Sequence, residues 1–598
     1  ASDDAPDGFP GPEAAGVFHP GAQEFPMGKG DAPPFLVEAF DRRERPEIAP
    51  AIPSADRSAG NRVFLERADI LRKEPTDSFM VLVGDVVFTK GPMIMRCDSA
   101  HYFSETESMD AFGNVSMEQG DTLFVYADEL RYSGPDEIAR LYADAGKKVR
   151  LINRDVTLET DIFIYDLRLD LGYYEVGGRL TDPSNTLTSL RGEYVPSTKE
   201  ANFYTDVHLN SRSTTDTLDI WSDSLYYNTG THIAELNSPS RIVNARGTVY
   251  TSRGVYDTDS NRTTLYDRST VVTSQGQTLI ADTIYYDRSA GYGEAFGSMI
   301  LTDSVHSSQL LGDYGFYDEL ADSSFVTGRA LLKEYGQGDT LYLHGRVVQT
   351  FRSLDSTAVA ADSVRGIVAH TRVDTTHVAV VYPRVRFYRS DIQGVCDSMR
   401  FTERDSMMRM FVSPVLWNED RQVSGNRIDF KLNDSTIERA ILPDYGFTAQ
   451  HIEGEHYNQL SGKEMIAWFE GGELCRLDIN GNVEIIMYPE ESDSTINKIV
   501  NAESSFLTAT FRGRTTERIK LWPETTGTAT PLFIARKTLY YLPKFVWHEG
   551  VRPMSPSDVF VIPEAMERMM EAAGRPAPSA IAPKRRSPVA GIPETRTE

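Results

Sequence analysis

The sequence has few cysteines, no long apolar run and little positive charge, and each shortage excludes a class of protein. Its three cysteines, Cys97, Cys396 and Cys475, lie far apart, so they cannot build a dense disulfide framework, and they form no Cys-x-x-Cys zinc or redox motif. Acidic residues outnumber basic ones by 87 to 61 among 598 residues, which argues against nucleic-acid binding and against electrostatic docking on an anionic membrane. The longest apolar stretches, such as 80–83 and 485–488, are far shorter than the about 20 residues of a membrane helix.

Proline is scarce in the middle of the chain and concentrated at both ends. Residues 1–60 hold ten of the 31 prolines and residues 541–598 hold nine. We therefore predict a Pro-rich flexible N-terminal extension over 1–60 and a Pro-rich flexible tail over 541–598. Within the tail, Pro563, helix-forming residues and Gly574 predict a short helix over 563–573. A marginal helix without a docking role is the alternative.

A short phrase recurs along the middle of the chain: a small residue, Asp or Gly, any residue, an apolar residue, any residue, and an aromatic residue. It reads CDSAHYF at 97–103, SDSLYYN at 222–228 and ADTIYYD at 281–287. Its second position falls at 98, 128, 161, 192, 223, 254, 282 and 313, so the period is about 31 residues. Helical periodicity is nearly absent, and turn residues separate short stretches rich in Thr, Val and Tyr. The sequence therefore predicts an all-β repeat protein.

A second phrase, Gly-x-small or apolar-x-apolar, follows the first, as in GNVSM at 113–117 and GSMIL at 297–301. A polar turn separates the phrases, so each repeat is predicted to be a strand, a turn and a strand that add one strand to each of two facing sheets. We predict a first repeat domain over 61–350, an irregular connection over 351–392 and a second repeat domain over 393–540.

Alternation along the first phrase assigns its side chains to two faces of the sheet, because side chains of a strand point to opposite faces in turn. One face is polar, with residues such as Glu129, Arg131, Thr283, Arg400 and Asp429. The other face is apolar and is predicted to line the interior; its members are Leu130, Tyr132, Phe163, Tyr165, Leu225, Tyr227, Ile284, Tyr286, Met399, Phe401, Ile428 and Phe430.

The sequence contains no recognisable motif for catalysis or for a cofactor. It has no Gly-x-Ser-x-Gly elbow, no His-Glu-x-x-His and no P-loop. The loop 257–261 begins like a calcium loop, but Arg262 and Arg268 stand where Gly and Glu are required. The recurring Asp is replaced by Gly192 and Gly254, which favours a turn or backbone-capping role. We predict no catalytic residue, no metal, no cofactor and no enzymatic activity.

The paired phrases, clearest in 281–287 with 297–301 and in 97–103 with 113–117, resemble the OstA/LptA family of lipopolysaccharide-transport proteins. The resemblance covers about residues 61–535, and Asp-Ser-Met at 397–399 is similar to the long OstA-like chains of Bacteroidota. It implies an elongated β-jellyroll, or β-taco, in which a V-shaped pair of sheets holds lipid acyl chains. It also implies residence in the periplasm, and the first residues, Ala-Ser-Asp-Asp without Met, would then follow signal-peptide removal unless the chain was trimmed.

The function expected from this resemblance is transport of lipopolysaccharide toward the outer membrane, with the acyl chains of lipid A shielded in the groove. The expected protein partners are other components of the transport bridge or of outer-membrane assembly, bound at the sheet edges, and head-to-tail self-association is a further possibility. The first alternative is a cell-envelope scaffold with a closed, filled core. The second is an enzyme acting on envelope polysaccharide, for which the sequence offers no convincing carboxylate pair.

Overall fold

The computed structural model describes residues 62–73, 78–212, 217–336, 338–359, 370–433, 436–491, 495–513 and 515–574. The extension predicted over 1–60, the final residues 575–598 of the predicted tail, and residues 360–369 of the predicted connection lie outside the described residues. From Val63 onward the chain forms one compact unit, and of the other unit only Arg62 is described.

The described residues are almost entirely β-structure, and the named strands pair antiparallel, which confirms the all-β prediction. The first strands are β1 (Phe64–Arg67), β2 (Ile70–Arg72), β3 (Met80–Lys90), β4 (Met93–Phe103), β5 (Ser108–Gln119), β6 (Leu123–Ser133), β7 (Ile138–Tyr142), β8 (Val149–Asn153), β9 (Val156–Thr160), β10 (Ile162–Asp166), β11 (Leu171–Tyr174), β12 (Gly178–Thr181), β13 (Asn185–Ser189), β14 (Arg191–Val195), β15 (Glu200–Arg212) and β16 (Thr217–Asn228). They are followed by β17 (Ile233–Leu236), β18 (Ser240–Asn244), β19 (Gly247–Thr251), β20 (Arg253–Asp257), β21 (Arg262–Tyr266), β22 (Ser269–Thr273), β23 (Gln277–Ala281), β24 (Thr283–Asp287), β25 (Tyr292–Asp303), β26 (Ser308–Asp318), β27 (Ser323–Thr327), β28 (Leu331–Glu334), β29 (Leu341–His344), β30 (Val347–Val359) and β31 (His370–Tyr382). The last are β32 (Val385–Tyr388), β33 (Gln393–Cys396), β34 (Ser398–Thr402), β35 (Met407–Phe411), β36 (Val415–Asn418), β37 (Arg421–Gly425), β38 (Arg427–Asn433), β39 (Thr436–Leu442), β40 (Gly446–Glu453), β41 (His456–Gly462), β42 (Glu464–Glu470), β43 (Glu473–Met487), β44 (Lys498–Arg512), β45 (Thr515–Trp522) and β46 (Thr526–Pro531), followed by the helix α1 (Glu564–Ala572).

These strands build two layers that share the long strands. A long strand such as β15 bends in its middle, so that its first half pairs with β14 in one layer and its second half pairs with β13 in the other. Layer one runs from β2 through β3–β6 to β7, β10, β11, β14–β17, β20, β21, β24–β27, β30, β31, β34, β35, β38, β39 and β42–β45. Layer two runs from β1 through the other halves of β3–β6 to β8, β9, β12, β13, β15, β16, β18, β19, β22, β23, β25, β26, β28, β29, β32, β33, β36, β37, β40, β41, β43, β44 and β46.

The two recurring phrases meet at the bend between the layers. Gly113 and Gly297 have φ angles of +76° and +73°, a region that a side chain disfavours. A Cβ at Gly297 would lie 2.4 Å from Asp282 Oδ2, and one at Gly113 would lie 2.5 Å from Asp98 Oδ2. The Asp282 N–H donates to the Gly297 carbonyl at 3.1 Å. The recurring Asp and the recurring Gly therefore form one corner of the backbone, which explains why both recur.

One repeat adds two strands to each layer, so the prediction of one strand per sheet is wrong. Between Asp161 and Gly192, β10 and β11 lie in layer one, and β12 and β13 lie in layer two. The strands are only four or five residues long there, so four of them fit into a period of about 31 residues.

The predicted irregular connection over 351–392 also differs from the structure. Strands β30 and β31 form a long hairpin, β30 pairs with β27, and β31 pairs with β34. Layer two continues at the same point from β29 directly to β32. Both layers therefore continue through the predicted boundary between 350 and 393 without a break. The stretch without the repeat pattern belongs to a hairpin rather than to a linker.

The segment 532–574, which we call the strap, crosses the outer face of layer two after β46. Two buried glutamines, Gln422 and Gln459, hold it by its backbone: each side chain donates to one strap carbonyl and accepts from one strap N–H, at 2.7 to 2.9 Å. Met566 and Met570 of α1 are fully buried in a cluster with Trp417. The flexible tail expected over 541–598 is therefore wrong for 541–574, because apolar side chains and buried amides anchor this part to the sheet.

The helix α1, Glu564–Ala572, lies within the range 563–573 predicted from the sequence. Across the part of the chain that the structure describes, no helix has both the length and the apolar character needed to cross a bilayer.

Candidate functional site

The side chains predicted to line the interior are mostly buried in one continuous hydrophobic cluster between the layers. Ten of the twelve are 0–7% exposed, whereas Tyr286 and Phe401 are only partly buried. On the opposite face, Arg131 and Arg400 are exposed as predicted. Asp429 differs, because its carboxylate is covered and accepts a hydrogen bond from Arg427 Nε at 2.9 Å. Alternation therefore assigned most of these residues to the correct face of the sheet. Their role in lining a lipid groove stays a prediction.

The aromatic ends of the first phrase form one row along layer one, near the mouth between the two layers. Cross-strand register places each tyrosine beside a small residue, so that Tyr165 lies next to Gly172 and Tyr227 lies next to Ala234. We call this the tyrosine row; its members are Tyr132, Tyr165, Tyr194, Tyr227, Tyr256, Tyr286 and Tyr317.

Most hydroxyls of the tyrosine row bond to polar groups of layer two, across the mouth. Asn153 Nδ2 donates to the Tyr194 hydroxyl at 2.9 Å. The Tyr227 hydroxyl donates to Asp182 Oδ2 at 2.6 Å and accepts from Asn185 Nδ2 at 2.8 Å. These three layer-two partners are themselves 2–7% exposed. The row therefore ties the two layers together with buried hydrogen bonds.

The same contact recurs on both sides of this pair. The Tyr165 hydroxyl reaches Gln119 at 3.4 Å and also donates to Asp170 of its own layer. Lys90 donates to the Tyr132 hydroxyl at 2.6 Å. Arg246 contacts the Tyr286 hydroxyl and, in addition, pairs with Glu319 across the mouth at 2.7 Å. The Tyr256 hydroxyl donates to Asn261 of its own layer at 3.2 Å, and residues 213–216 lie outside the described residues.

Burial keeps these phenols protonated. It raises the pKa of Tyr194 and, more strongly, those of Tyr165 and Tyr227, where the neighbouring carboxylates of Asp170 and Asp182 add to the shift. The pKa of Tyr174, which lies deeper in the same layer, is raised to about 12 by burial. Tyr165, Tyr194 and Tyr227 are thus neutral and hydrogen-bonded at physiological pH.

Layer two presents a continuous row of aliphatic side chains to the interior, which the sequence analysis did not assign to the lining. The sequence feature that indicates this row is the last apolar residue of the second phrase, as in Met117 and Leu301. We call it the aliphatic row; in cross-strand order it contains Phe88, Met95, Met117, Val125, Leu151, Leu158, Leu180, Leu187, Leu209, Ile220, Ile242, Val249, Val271, Leu279, Leu301, Leu310, Leu332, Leu343 and Phe387.

The burial of the aliphatic row changes along the chain. From Val125 to Ile220 its members are 0–1% exposed, so that the interior there is filled. From Val249 to Leu332 they are only partly buried. Farther on, Leu343 and Phe387 are both 7% exposed. Along the aliphatic row, the interior is therefore closed over β6–β16 and more accessible over β19–β28.

A methionine-rich pocket lies at the start of the interior, before the closed part. It encloses about 40 Å³ of free space, is open to solvent, and is lined by residues that include Met93, Met95, Met109, Met117 and the predicted lining residues Leu130 and Tyr132. Flexible thioether side chains adapt to apolar ligands of different shape. The lining of this pocket is thus apolar and adaptable.

The described residues offer no set of groups for metal chemistry. Among them, no three His, Cys, Asp or Glu side chains are placed to hold a metal ion. Cys97 is buried, and burial raises the pKa of its thiol to about 11, so it is protonated at neutral pH. The arrangement of the interior suits binding of apolar groups.

Two comparisons with known proteins give matches. The family described as "OstA-like protein" matches residues 60–215 and 213–293. The crystal structure of LptH from Pseudomonas aeruginosa, described as the LptA homologous periplasmic component of a lipopolysaccharide transport device, is similar to this chain with 14% sequence identity and a TM-score of 0.15. That match covers 23% of this chain and 78% of LptH.

No curated protein matches the sequence. The family match covers the strands that carry the corners and the tyrosine row, from β1 to the start of β25. Over residues 60–293, the chain is similar to the OstA-like family.

Proposed function

We propose that this protein acts in lipopolysaccharide transport in the periplasm and shields lipid acyl chains between its two layers. The observation that carries the proposal is the aliphatic row, which presents apolar side chains across layer two from Phe88 to Phe387. Burial of acyl methylenes against such a surface contributes roughly 0.8 kcal/mol per CH₂ before ordering costs. This binding needs no catalytic group, so the protein acts as a carrier rather than as an enzyme.

The acidic balance of the chain fits a binding site that depends on its interior. With a net charge of −26, the surface repels phosphorylated headgroups on average. The affinity for lipid then comes from apolar contact, and headgroups stay outside the mouth.

Photocrosslinking to lipopolysaccharide tests the proposal. A photoreactive residue replaces Tyr286 or Phe401, which are the two predicted lining residues that are only partly buried. Matched controls carry it at Thr283 or Arg400 on the outer face of the same strands. We expect lipid adducts at Tyr286 and Phe401 and none at the controls. Folded variants without adducts at any position would favour a closed scaffold, the alternative that the buried bonds of the tyrosine row support.

The ends of the layers are the proposed docking sites for partner proteins of the transport bridge or for a second copy of this chain. Strand β2 ends layer one, with Ile70 and Leu71 45% and 55% exposed, and β45 ends it at the other side, with Ile519 45% exposed. Such unpaired edges bind further strands by main-chain hydrogen bonds. Site-specific crosslinking from Leu71 and Ile519 in cells, with Tyr250 as an exposed control, tests this arrangement.

A further inference from the structure

We propose that the tyrosine row closes the first half of the interior and that acyl chains occupy only the second half, from β25 onward. This inference rests on the proposed lipid-binding function and limits where binding takes place. It replaces a single continuous groove with a tied stretch, β6–β24, and an open stretch, β25–β43.

The tied stretch has hydrogen bonds that an acyl chain would have to break. Tyr194 and Tyr227 bond to Asn153, Asp182 and Asn185, all of which are at least nine-tenths buried. Separating these groups for an apolar ligand would leave several buried polar atoms without partners. Behind them, from Val125 to Ile220, the aliphatic row is 0–1% exposed, so the interior is filled there.

The open stretch cannot form such ties from the same row. Beyond Tyr317, cross-strand register continues the row without another tyrosine, through Ser324, Thr350, Ala379, Phe401, Met408, Phe430, Ala440, Ala467 and Leu477. Phenylalanine and methionine have no hydroxyl that could bond across the mouth. Ser324 and Thr350 bond to each other at 2.7 Å, and the row is apolar from Ala379 onward.

Burial of the aliphatic row changes earlier, because its members are partly buried from Val249 in β19 onward. In the open stretch, Phe401 and Met408 of layer one are only partly buried, and so are Leu332, Val423 and Leu460 of layer two. The open stretch therefore presents apolar surface from both layers at these positions, whereas Leu343, Phe387 and Phe430 are buried. Eleven strands contribute to it in layer one, which corresponds to about 48 Å at about 4.8 Å per strand. That length exceeds one extended acyl chain.

The pair of Arg246 and Glu319 lies near the boundary between the two stretches. Arg246 belongs to the turn after β18 in layer two, and Glu319 follows β26 in layer one; their side chains meet at 2.7 Å. This contact crosses the mouth near Tyr286. It is the last polar contact across the mouth before the tyrosines of the row end.

Labelling of the unmodified full chain with a diazirine-bearing palmitic acid tests the inference without any substitution. Photolysis followed by peptide mapping compares residues 293–477 with residues 138–236. We expect at least tenfold more label in 293–477. Equal labelling of both ranges would overturn the inference and leave the proposed function intact, whereas absence of label from both would contradict the proposed function itself.

A variant in which Tyr194 and Tyr227 are both replaced by Phe tests the hydroxyls. The rings remain, but the bonds to Asn153, Asp182 and Asn185 are lost. We expect labelling of 138–236 to rise at least threefold, and the control Tyr250→Phe, at an exposed position, to leave it unchanged. A double variant that keeps its sheet signal in circular dichroism and its protection from label would overturn the role of the hydroxyls.

Discussion

Single hydroxyl groups connect the two layers, and Tyr227 is the most densely bonded of them. Its oxygen contacts Asp182, Asn185 and His232 within 2.6 to 3.3 Å. Replacement by Phe leaves buried polar partners unsatisfied, which costs about 1–3 kcal/mol of the free energy of unfolding. Urea unfolding monitored by tryptophan fluorescence measures this loss.

The exposed Tyr250 is the matched control for that measurement. It is 50% exposed on the outer face of layer two, so Tyr250→Phe is expected to change stability by less than about 0.5 kcal/mol. Equal losses for Tyr227→Phe and Tyr250→Phe would show that the bonds across the mouth do not stabilise the fold.

The tyrosines also predict an alkaline limit of stability. Their pKa values are raised in the folded chain, so the folded state holds these protons more tightly than the unfolded state does. The resulting stabilisation is complete below pH 10 and is lost as the pH rises toward and beyond 12. We expect sheet structure, followed by circular dichroism, to be lost in that range together with a rise in phenolate absorbance. Complete phenolate formation near pH 10 in a chain that stays folded would contradict this.

The corner glycine Gly297 predicts a further difference between two similar substitutions. Gly297 and Gly276 have φ angles of +73° and +85°, but a Cβ meets Asp282 only at Gly297, whereas no atom lies within 4 Å of one at Gly276. Gly276→Ala is expected to cost about 1–2 kcal/mol for the backbone conformation alone. Gly297→Ala adds crowding, for a further loss of about 1–3 kcal/mol. Thermal unfolding of both variants gives the comparison. Equal losses of stability would show that the backbone corner relaxes around the added methyl group at no cost.

At the scale of single elements, two buried guanidiniums help to hold the strap: Arg386 donates to the Val551 carbonyl at 2.8 Å, and Arg384 binds α1. Arg384 is 1% exposed and pairs with Asp397 and with Glu567 of α1, both at 2.7 Å. Glu567→Gln removes one of the two carboxylates that compensate the buried charge of Arg384. We expect this change to lower the free energy of unfolding by about 3 kcal/mol. This value is at the low end for buried ion pairs because Asp397 remains. The strap should then detach, and trypsin should cleave it faster at Lys544 and Arg552.

Glu564→Gln is the control on the same helix. Glu564 is 84% exposed and faces Arg568 at 3.9 Å, so its loss changes stability by only about 0.3–0.5 kcal/mol. Unchanged trypsin cleavage of the strap in Glu567→Gln would show that Met566 and Met570 hold the helix without the ion pair.

Sequence patterns predicted the elements whose information is local. Alternation identified the buried face at Leu130 and Phe163, and the period located the corners at Asp282 and Gly297. These features depend on neighbours within about one repeat.

The features that the sequence did not reveal depend on distant residues. Tyr227 finds its partners about 45 residues earlier, and Gln422 binds the strap about 125 residues later. Gln422 sits on a strand face that alternation alone assigns to solvent, and only the strap buries it. The hydroxyl of a tyrosine in an apolar phrase likewise carries no local sign of its partner.

At the scale of the whole molecule, the contacts that stabilise the two layers differ along the chain. Strands β8–β16 have a filled interior and a tied mouth, and the outer face of layer two over β32–β41 is covered by the strap. Strands β22–β28 lie between these regions, and the aliphatic row is partly exposed there. Because neighbouring repeats stabilise one another, the least supported strands are where a repeat array opens first.

Hydrogen exchange monitored by mass spectrometry checks this. Amides of β22–β28 are expected to exchange at least tenfold faster than those of β8–β16, and also faster than those of β32–β41. Binding of an acyl chain to the open stretch should slow the exchange of β25–β28, because the ligand replaces the missing apolar contacts on the inner face, and should leave β8–β16 unchanged. Uniform exchange from β8 to β41 would mean that the two layers open as one cooperative unit, in which neither the tyrosine row nor the strap adds local stability.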